Sequence, residues 1–381
     1  MARTLGLHHE AMTLGQKFRQ IIWSLVLLLA VTAAIGFAML YSAANGNFDP
    51  WAWRQAVRFG AMLLLLVAIA LVDVRLLLRW SYVIYAAALA MLALVEVMGV
   101  TGMGAQRWVD LWLFRLQPSE VMKVALVLAV ARYFHCLTLD DTRRLHNLLV
   151  PLLMMAAPVA LVLRQPDLGT AVMLILTSVA VMFAAGVRMR VFVAAGVSAI
   201  AAVPLGWQFL RDYQKQRIYT FLDPENDPLG AGYHILQSKI ALGSGGMFGK
   251  GFLNGSQSHL SFLPERQTDF IFTMLAEEFG LAGALMLLGL YVLILIYGIA
   301  ISLWSKSQYG RLVAIGVTTT FFVYVFINIA MVTGLIPVVG VPLPLVSYGG
   351  TAMMTIMVGA GVLVSVYVHR DVEISRGEGL V

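Results

Sequence analysis

The sequence predicts an all-α polytopic integral membrane protein of ten transmembrane helices, with a long extracytoplasmic loop between the seventh and the eighth. Three observations carry that expectation. Hydrophobic residues fill 60% of the 381 positions and charged residues 12%, and mean hydropathy is +0.84, far too apolar for a soluble chain of this length. Apolar runs of roughly 20 residues, enough to cross about 30 Å of hydrocarbon, recur at short intervals. One connection, residues 211–269, is polar and far longer than the others.

The runs lie near 21–41, 55–72, 79–98, 118–135, 148–163, 169–187, 191–210, 270–303, 311–335 and 346–369. An even number of crossings puts both termini on one side. Lys17, Arg19, Arg75, Arg79, Arg132, Arg143, Arg144, Arg188, Arg190, Lys306, Arg311 and Arg370 gather at one set of span ends. The opposite short loops hold fewer, namely Arg54, Arg58, Arg107, Arg115, Lys123 and Arg164. Basic short loops stay cytoplasmic, so both termini are expected inside and residues 211–269 outside. Ser42, Ala43 and Ala44 resemble a cleavage site, but the run before them is too long for a signal peptide and further spans follow. The net charge of +6 is dispersed at span ends as headgroup anchors, with nothing pointing to nucleic acid. A single cysteine, Cys136, allows no intrachain disulfide and reads as a small apolar filler.

With no repeat, low-complexity tract or soluble appendage, residues 1–381 read as one membrane domain. Inside the long loop, Asp223–Pro228 is turn chemistry, and Tyr233–Leu242 can form a short amphipathic helix with Ile235, Leu236 and Ile240 on its apolar side. The glycine-rich Gly243–Gly251 could converge backbone N–H groups on an anion or simply be turns. Lys239, Lys250, His234 and His259 lie nearby with no carboxylate between Gly230 and Leu263. Farther on, Pro337, Pro342 and Pro344 interrupt apolar residues 334–350. Prolines cannot continue a helix and lipid does not tolerate unsatisfied backbone, so this segment is expected to re-enter the protein and line a cavity.

The candidate chemistry begins at Asp269, a carboxylate at the mouth of the eighth apolar run. Such an acid is costly to desolvate unless paired or wet. Glu120 and Lys123, three apart at the start of the fourth run, share a helix face and read either as a structural ion pair or as a substrate-phosphate site. Asp167, in the turn Arg164–Thr170, either caps the next helix or joins a site. Arg107 and Trp108 lie in an outer loop near Trp112, where an indole either anchors in the interface or meets a sugar face. Glu277 and Glu278 lie about two turns below Asp269, with Glu277 on roughly its face, as either supporting acids of the site or a proton path. The chain has no P-loop, HExxH or nucleophile elbow, which argues against nucleotide hydrolysis, zinc proteolysis and serine acyl transfer.

Gly104–Trp108 with Gln117–Lys123, Gln165–Thr170, Asp223–Gly232 with His234 and Gln237–Lys239, Gly249–Gly251, Phe262–Phe272 with Glu277 and Glu278, and Gly340–Gly350 together resemble one family. These are the SEDS proteins of shape, elongation, division and sporulation. Pro264–Arg266 and Val339–Pro344 are more similar to its RodA branch than to the division paralogue FtsW. Gln267 departs from the His common in relatives, which weakens any role for a His beside the acid. The resemblance implies a peptidoglycan glycosyltransferase of the bacterial cytoplasmic (inner) membrane, polymerising lipid II into β-1,4 glycan strands during elongation and rod-shape maintenance. It implies an inverting displacement with Asp269 as base. Lys123, Arg107, Lys239 and Lys250 are candidates for the pyrophosphate, with Glu120 holding Lys123, Trp108 beside the substrate, and Asp167, Glu277 and Glu278 in support. A divalent cation, Mg or Mn, could share the pyrophosphate through Asp269 or Glu120, with no organic cofactor. The implied partners are a class B penicillin-binding protein with transpeptidase activity and other elongation-complex membrane proteins. Two other readings stand beside this one: a flippase for lipid-linked precursors and a structural scaffold.

Overall fold

Every apolar run forms a helix in the computed structural model, which describes residues 12–102, 105–110, 115–209, 212–223, 231–256 and 265–379. A short helix α1 (Leu14–Arg19), closed by a Thr13 capping box, precedes α2 (Trp23–Ala43), α3 (Ala52–Ala70) and α4 (Val74–Met98). Three short strands follow, β1 (Val100–Gly102), β2 (Ala105–Asp110) and β3 (Arg115–Leu116). Then come α5 (Pro118–Cys136), a single turn α6 (Leu139–Thr142), α7 (Leu149–Arg164), α8 (Leu168–Ala184) and α9 (Met189–Phe209). The long connection holds α10 (Asp212–Leu222) and α11 (Ala231–Ser244), and the chain closes with α12 (Ile271–Trp304), α13 (Gln308–Val332) and α14 (Gly350–Val368).

Among the described residues, 7 helical segments are long and apolar enough to cross a membrane: α2, α3, α4, Leu145–Arg164, α12, α13 and α14. The apolar parts of α8 and α9 are shorter. Helix α5 carries Glu120, Lys123, Arg132 and His135, yet all four are buried. A helix buried on nearly every side belongs to the middle of a bundle, and α5 packs against α4, α8, α13 and α14. Helix α9 is the opposite case. Val193, Val197, Ile200 and Val203 are exposed, and Phe192 near its start meets Phe183 of α8 at 6.0 Å.

The outer loop bearing Arg107 and Trp108 departs from the all-α expectation. It is a β1-β2-β3 antiparallel ribbon that pairs Val100 with Trp108 and Val109 with Leu116. Trp108 and Val109 suit a half-buried pleated surface better than a helix.

Helix α12 is broken at Gly280, whose φ of 67° and ψ of −163° leave the helical region. The freed N–H groups of Leu281 and Ala282 donate to the carbonyls of Gly246 and Met247 at 2.9 and 3.0 Å. In return, Lys250 and Gly251 donate their N–H groups to the carbonyls of Glu277 and Glu278, both at 3.0 Å. Part of the long connection thus runs down alongside α12 instead of lying wholly outside the bundle. Glycine is required at the contact, because a Cβ on Gly245 or Gly249 would overlap α12 backbone. The glycine-rich turn is therefore a docking device, and the N–H groups expected to face an anion are taken up by carbonyls. On α11 it is Ser238 and Ala241 that are buried, while Ile240 faces outward.

The proline-interrupted segment does re-enter the protein. Val341, Leu343, Leu345, Val346 and Ser347 are all buried. Its backbone has no helix or strand to satisfy it, so side chains do the work. Asn328 donates to the Val341 carbonyl (2.7 Å), Tyr291 to Pro344 (2.8 Å) and Gln55 to Ser347 (2.9 Å), while Ser347 Oγ accepts from Leu343 N–H (2.7 Å). Irregular backbone in an apolar bundle persists only under such internal satisfaction. Gly36 of α2 and Gly169 of α8 give the segment room, since a Cβ on either would strike it.

Candidate functional site

Asp269 lies in a turn just ahead of α12, whose first helical residue is Ile271. Within that turn, Thr268 N–H and Phe270 N–H donate to the Glu265 carbonyl, Thr268 Oγ1 donates to the Glu265 carboxylate at 3.1 Å, and Gln267 Nε2 donates to the same carboxylate at 3.2 Å. The turn is bound to the re-entrant segment three times. Tyr348 N–H donates to the Gln267 carbonyl at 2.8 Å, Ser347 Oγ donates to the Thr268 carbonyl, and Asn328 Nδ2 bridges the Asp269 carbonyl at 3.0 Å to that of Val341. Gly340 sits beside the carboxylate, where a Cβ would fall 3.5 Å from Asp269 Oδ2. Burial lowers the basicity of the neighbouring Arg266 guanidinium.

One helical turn along α13 from Asn328, Tyr324 reaches the second candidate group. Lys123 Nζ donates to Glu120 Oε1 at 2.6 Å and also hydrogen-bonds the Tyr324 hydroxyl, which in turn donates to Glu120 Oε2. The Lys123 and Glu120 side chains are 1% and 6% exposed. A single face of α13 therefore ties the Lys123–Glu120 pair to the turn that carries Asp269. The rise between the two attachment points is about 6 Å.

The third group stands at the head of α8. Asp167 caps that helix, as expected, by accepting from Thr170 N–H at 3.1 Å, and it also pairs with Arg107 at 3.6 Å. Arg107 donates further to the Gln165 carbonyl at 2.9 Å and to the Pro166 carbonyl. Because Gly169 lies against Val339 and Val341, this pair borders the re-entrant segment beside Asp269. Trp108 is half-buried on β2 next to Arg107.

Other residues proposed from the sequence fall elsewhere. Glu277 is buried and bound to Lys250 at 2.7 Å, with Ser256 at 3.2 Å. Glu278 is buried with the Ser42 hydroxyl donating to it. Glu277 thus holds the docked loop against α12, and Glu278 ties α12 to α2 through Ser42. Lys250 is likewise engaged. Lys239 is exposed on α11, while its neighbour Ser238 bonds the Val332 carbonyl at 2.7 Å. Trp112, His259 and residues 224–230 lie outside the described residues. Among the described residues no group of three His, Cys, Asp or Glu side chains could hold a metal. With Glu120 engaged by Lys123 and Tyr324, and the Glu265 carboxylate by Thr268 and Gln267, a divalent cation bound through Asp269 would need substrate oxygens and water for its remaining ligands.

The sequence reading missed Asn328, Tyr324, Ser347, Gln55 and Arg58. Lone polar side chains inside apolar runs were the available signal for the first two. Arg58 sits near the N-terminal end of α3, its guanidinium 5.0 Å from the Tyr348 ring and against Gly350.

Comparison with known sequences decides the family. A family described as "Cell cycle protein", comprising FtsW, RodA and SpoVE, matches residues 19–372. The chain belongs to the FtsW/RodA/SpoVE family. Over 346 residues it is 44% identical to the peptidoglycan glycosyltransferase MrdB of Escherichia coli K12, covering 91% of this chain and 93% of that one. It is 36% identical over 352 residues to stage V sporulation protein E of Bacillus subtilis, covering 90% and 95%. The fold matches the RodA rod shape determining protein of Thermus thermophilus with a TM-score of 0.70 and 30% identity, over 92% of this chain and 97% of that one. A structure described as a peptidoglycan synthase complex coordinating polymerization and crosslinking matches with a TM-score of 0.80 and 33% identity, over 92% and 98%. The expectation of a SEDS-type, RodA-like enzyme is met by these matches.

Proposed function

We infer that this FtsW/RodA/SpoVE chain is a peptidoglycan glycosyltransferase that polymerises lipid II into β-1,4 glycan strands during cell elongation. The observation that carries the reading is Asp269: a carboxylate whose backbone is held on the re-entrant segment, with Gly340 beside it and Arg266 in the same turn, in a chain whose relatives are named for this activity. The acceptor sugar's 4-hydroxyl gives its proton to the Asp269 carboxylate as its oxygen attacks the donor's anomeric carbon. The C1–O bond breaks, and its electron pair leaves with the undecaprenyl pyrophosphate. One displacement inverts the α-linked donor to a β-linked product.

Arg266 stands in the same turn as Asp269, and Arg58 and Arg107 border the re-entrant segment; all three keep some exposure, and bidentate donors suit a pyrophosphate. Lys123, buried with Glu120 in a pair of no net charge, acts on the pyrophosphate only through the dipole of that pair in a low-dielectric surrounding, without touching the substrate. A divalent cation, Mg or Mn, bound through Asp269 would add charge stabilisation of the pyrophosphate.

The proposed setting is the bacterial inner membrane, with ten spans, cytoplasmic termini and the Asp269 turn facing out, as the charge asymmetry requires. The proposed partner is a single-span class B penicillin-binding protein that cross-links the strands. It would pack on the faces of α12 and α13 where small residues such as Gly289 let helices approach.

The test is conversion of purified lipid II to glycan strands by the purified protein in detergent. Detergent has no compartments, so a flippase would leave lipid II unchanged. Pairing of Glu277 with Lys250 and of Glu278 with Ser42 gives both acids structural partners, which weighs against a proton path and transport.

A further inference from the structure

We propose that Asn328 is a positioning residue that sets the place of the Asp269 carboxylate, an inference that rests on reading Asp269 as the base. Asn328 stands alone among Val323, Val325, Phe326, Ile327 and Ile329, and its side chain is fully buried. An amide in such surroundings is costly unless its hydrogen bonds are made. Its NH₂ group makes two, to the Asp269 carbonyl at 3.0 Å and the Val341 carbonyl at 2.7 Å. Its Oδ1 has no partner among the described residues. Rotating the amide by half a turn would set Oδ1 against two carbonyl oxygens, so the donors must face this way. The side chain therefore accepts an unsatisfied oxygen in order to clasp two backbone segments.

Those two segments are the ones that must be in register for the chemistry. One carries the carboxylate. The other sets Gly340 beside it, where an added Cβ would lie in ordinary contact, 3.5 Å from Oδ2. The clasp sits on α13, whose Tyr324 one turn away holds Glu120 and Lys123. Helix α13 thus acts as a ruler between the buried cation and the base, and Asn328 is the mark at the base end. Ser347 and Tyr348 hold the neighbouring residues of the turn, so loss of Asn328 should shift Asp269 without releasing the whole segment.

The experiment is a double-mutant cycle on purified full-length protein with lipid II as substrate, reading kcat, KM and monodispersity in detergent. Asn328→Leu removes both donors at similar size. Its kcat should fall about 10- to 100-fold, since a misplacement of about 1 Å can cost that much, while KM moves by less than about threefold. In an Asp269→Asn background the same substitution should change the residual kcat by less than about twofold, because a positioning residue has nothing left to position. An equal loss in both backgrounds would show that Asn328 only supports the packing and would overturn the proposal, as would wild-type kcat in Asn328→Leu. If Asn328→Leu does not give monodisperse protein, the same cycle is run with the isosteric Asn328→Asp, which lacks the two donors. A fully active Asp269→Asn would instead remove the base reading, and this proposal with it. Loss in Asp269→Asn with no loss in either Asn328 variant would sink the proposal alone.

Discussion

Replacing Lys123 by Met would break the most deeply buried ion pair of the site. The two side chains are 1% and 6% exposed, so solvent screening does little to soften the loss. With Lys123 gone, the Glu120 carboxylate keeps the Tyr324 hydroxyl as a partner but no countercharge. Removing one partner of a buried pair costs about 3–5 kcal/mol, which is roughly two to four decades in the folded fraction at about 1.4 kcal/mol per decade. Lys123→Met alone should therefore give little monodisperse protein. Adding Glu120→Gln neutralises the orphan and should restore folding, because a paired replacement of a buried salt bridge is often neutral or stabilising. The informative quantity is the polymerisation rate of that refolded double variant. Loss of the oriented dipole of the Lys123–Glu120 pair should leave it about tenfold slower than wild type, less than the loss of a donor in direct contact with the leaving group. The assay is size-exclusion chromatography for folding and electrophoresis of labelled glycan strands for rate. A monodisperse double variant that polymerises at the wild-type rate would refute the electrostatic role and leave the pair purely structural.

Arg58→Gln should raise KM for lipid II about tenfold with a smaller change in kcat; an unchanged KM would exclude Arg58 from the pyrophosphate. Gly249→Ala, at a φ of 80° and with its Cβ directed at the Glu278 carbonyl, should lower thermal stability in detergent by about 1–3 kcal/mol. Gly243→Ala in α11, with nothing near a Cβ, should leave stability unchanged or raise it slightly, and equal effects of the two would argue that the loop is not docked on α12. With Cys136 replaced by Ser, an impermeant thiol reagent on intact cells should label Asn254→Cys and not Glu373→Cys. The reverse pattern would invert the orientation.

The helices and the re-entrant segment were legible because lipid imposes strong rules. Long apolar runs must be helical, and Pro337, Pro342 and Pro344 in such a run can only be accommodated by protein. Asp167 was legible as a cap because an acid before a helix has few better partners. The break at Gly280 was hidden, since one glycine inside a long apolar run is common and its cause, the docked carbonyls of Gly246 and Met247, lies far back in the sequence. For the same reason the pairing of Lys250 with Glu277, 27 residues on, was hidden. Candidate cations can be picked by residue type, but which of them already has an anion depends on tertiary contacts. Asn328 and Tyr324 looked like ordinary polar interruptions of an apolar helix, and only the partners across the bundle distinguish them.

The central claim, that Asp269 takes the proton from the acceptor sugar, is tested most directly by Asp269→Asn assayed with purified lipid II in detergent. The substitution keeps shape and backbone clasp while removing the charge. Proton removal by a positioned side chain is worth about 10²–10⁴ in rate, roughly 3 to 5 kcal/mol. The variant should polymerise at least about 100-fold more slowly while still binding lipid II, and raising the Mg or Mn concentration should not restore the rate. Partial rescue by metal would make the same carboxylate a cation ligand and not the base. Near wild-type polymerisation by Asp269→Asn would contradict the account.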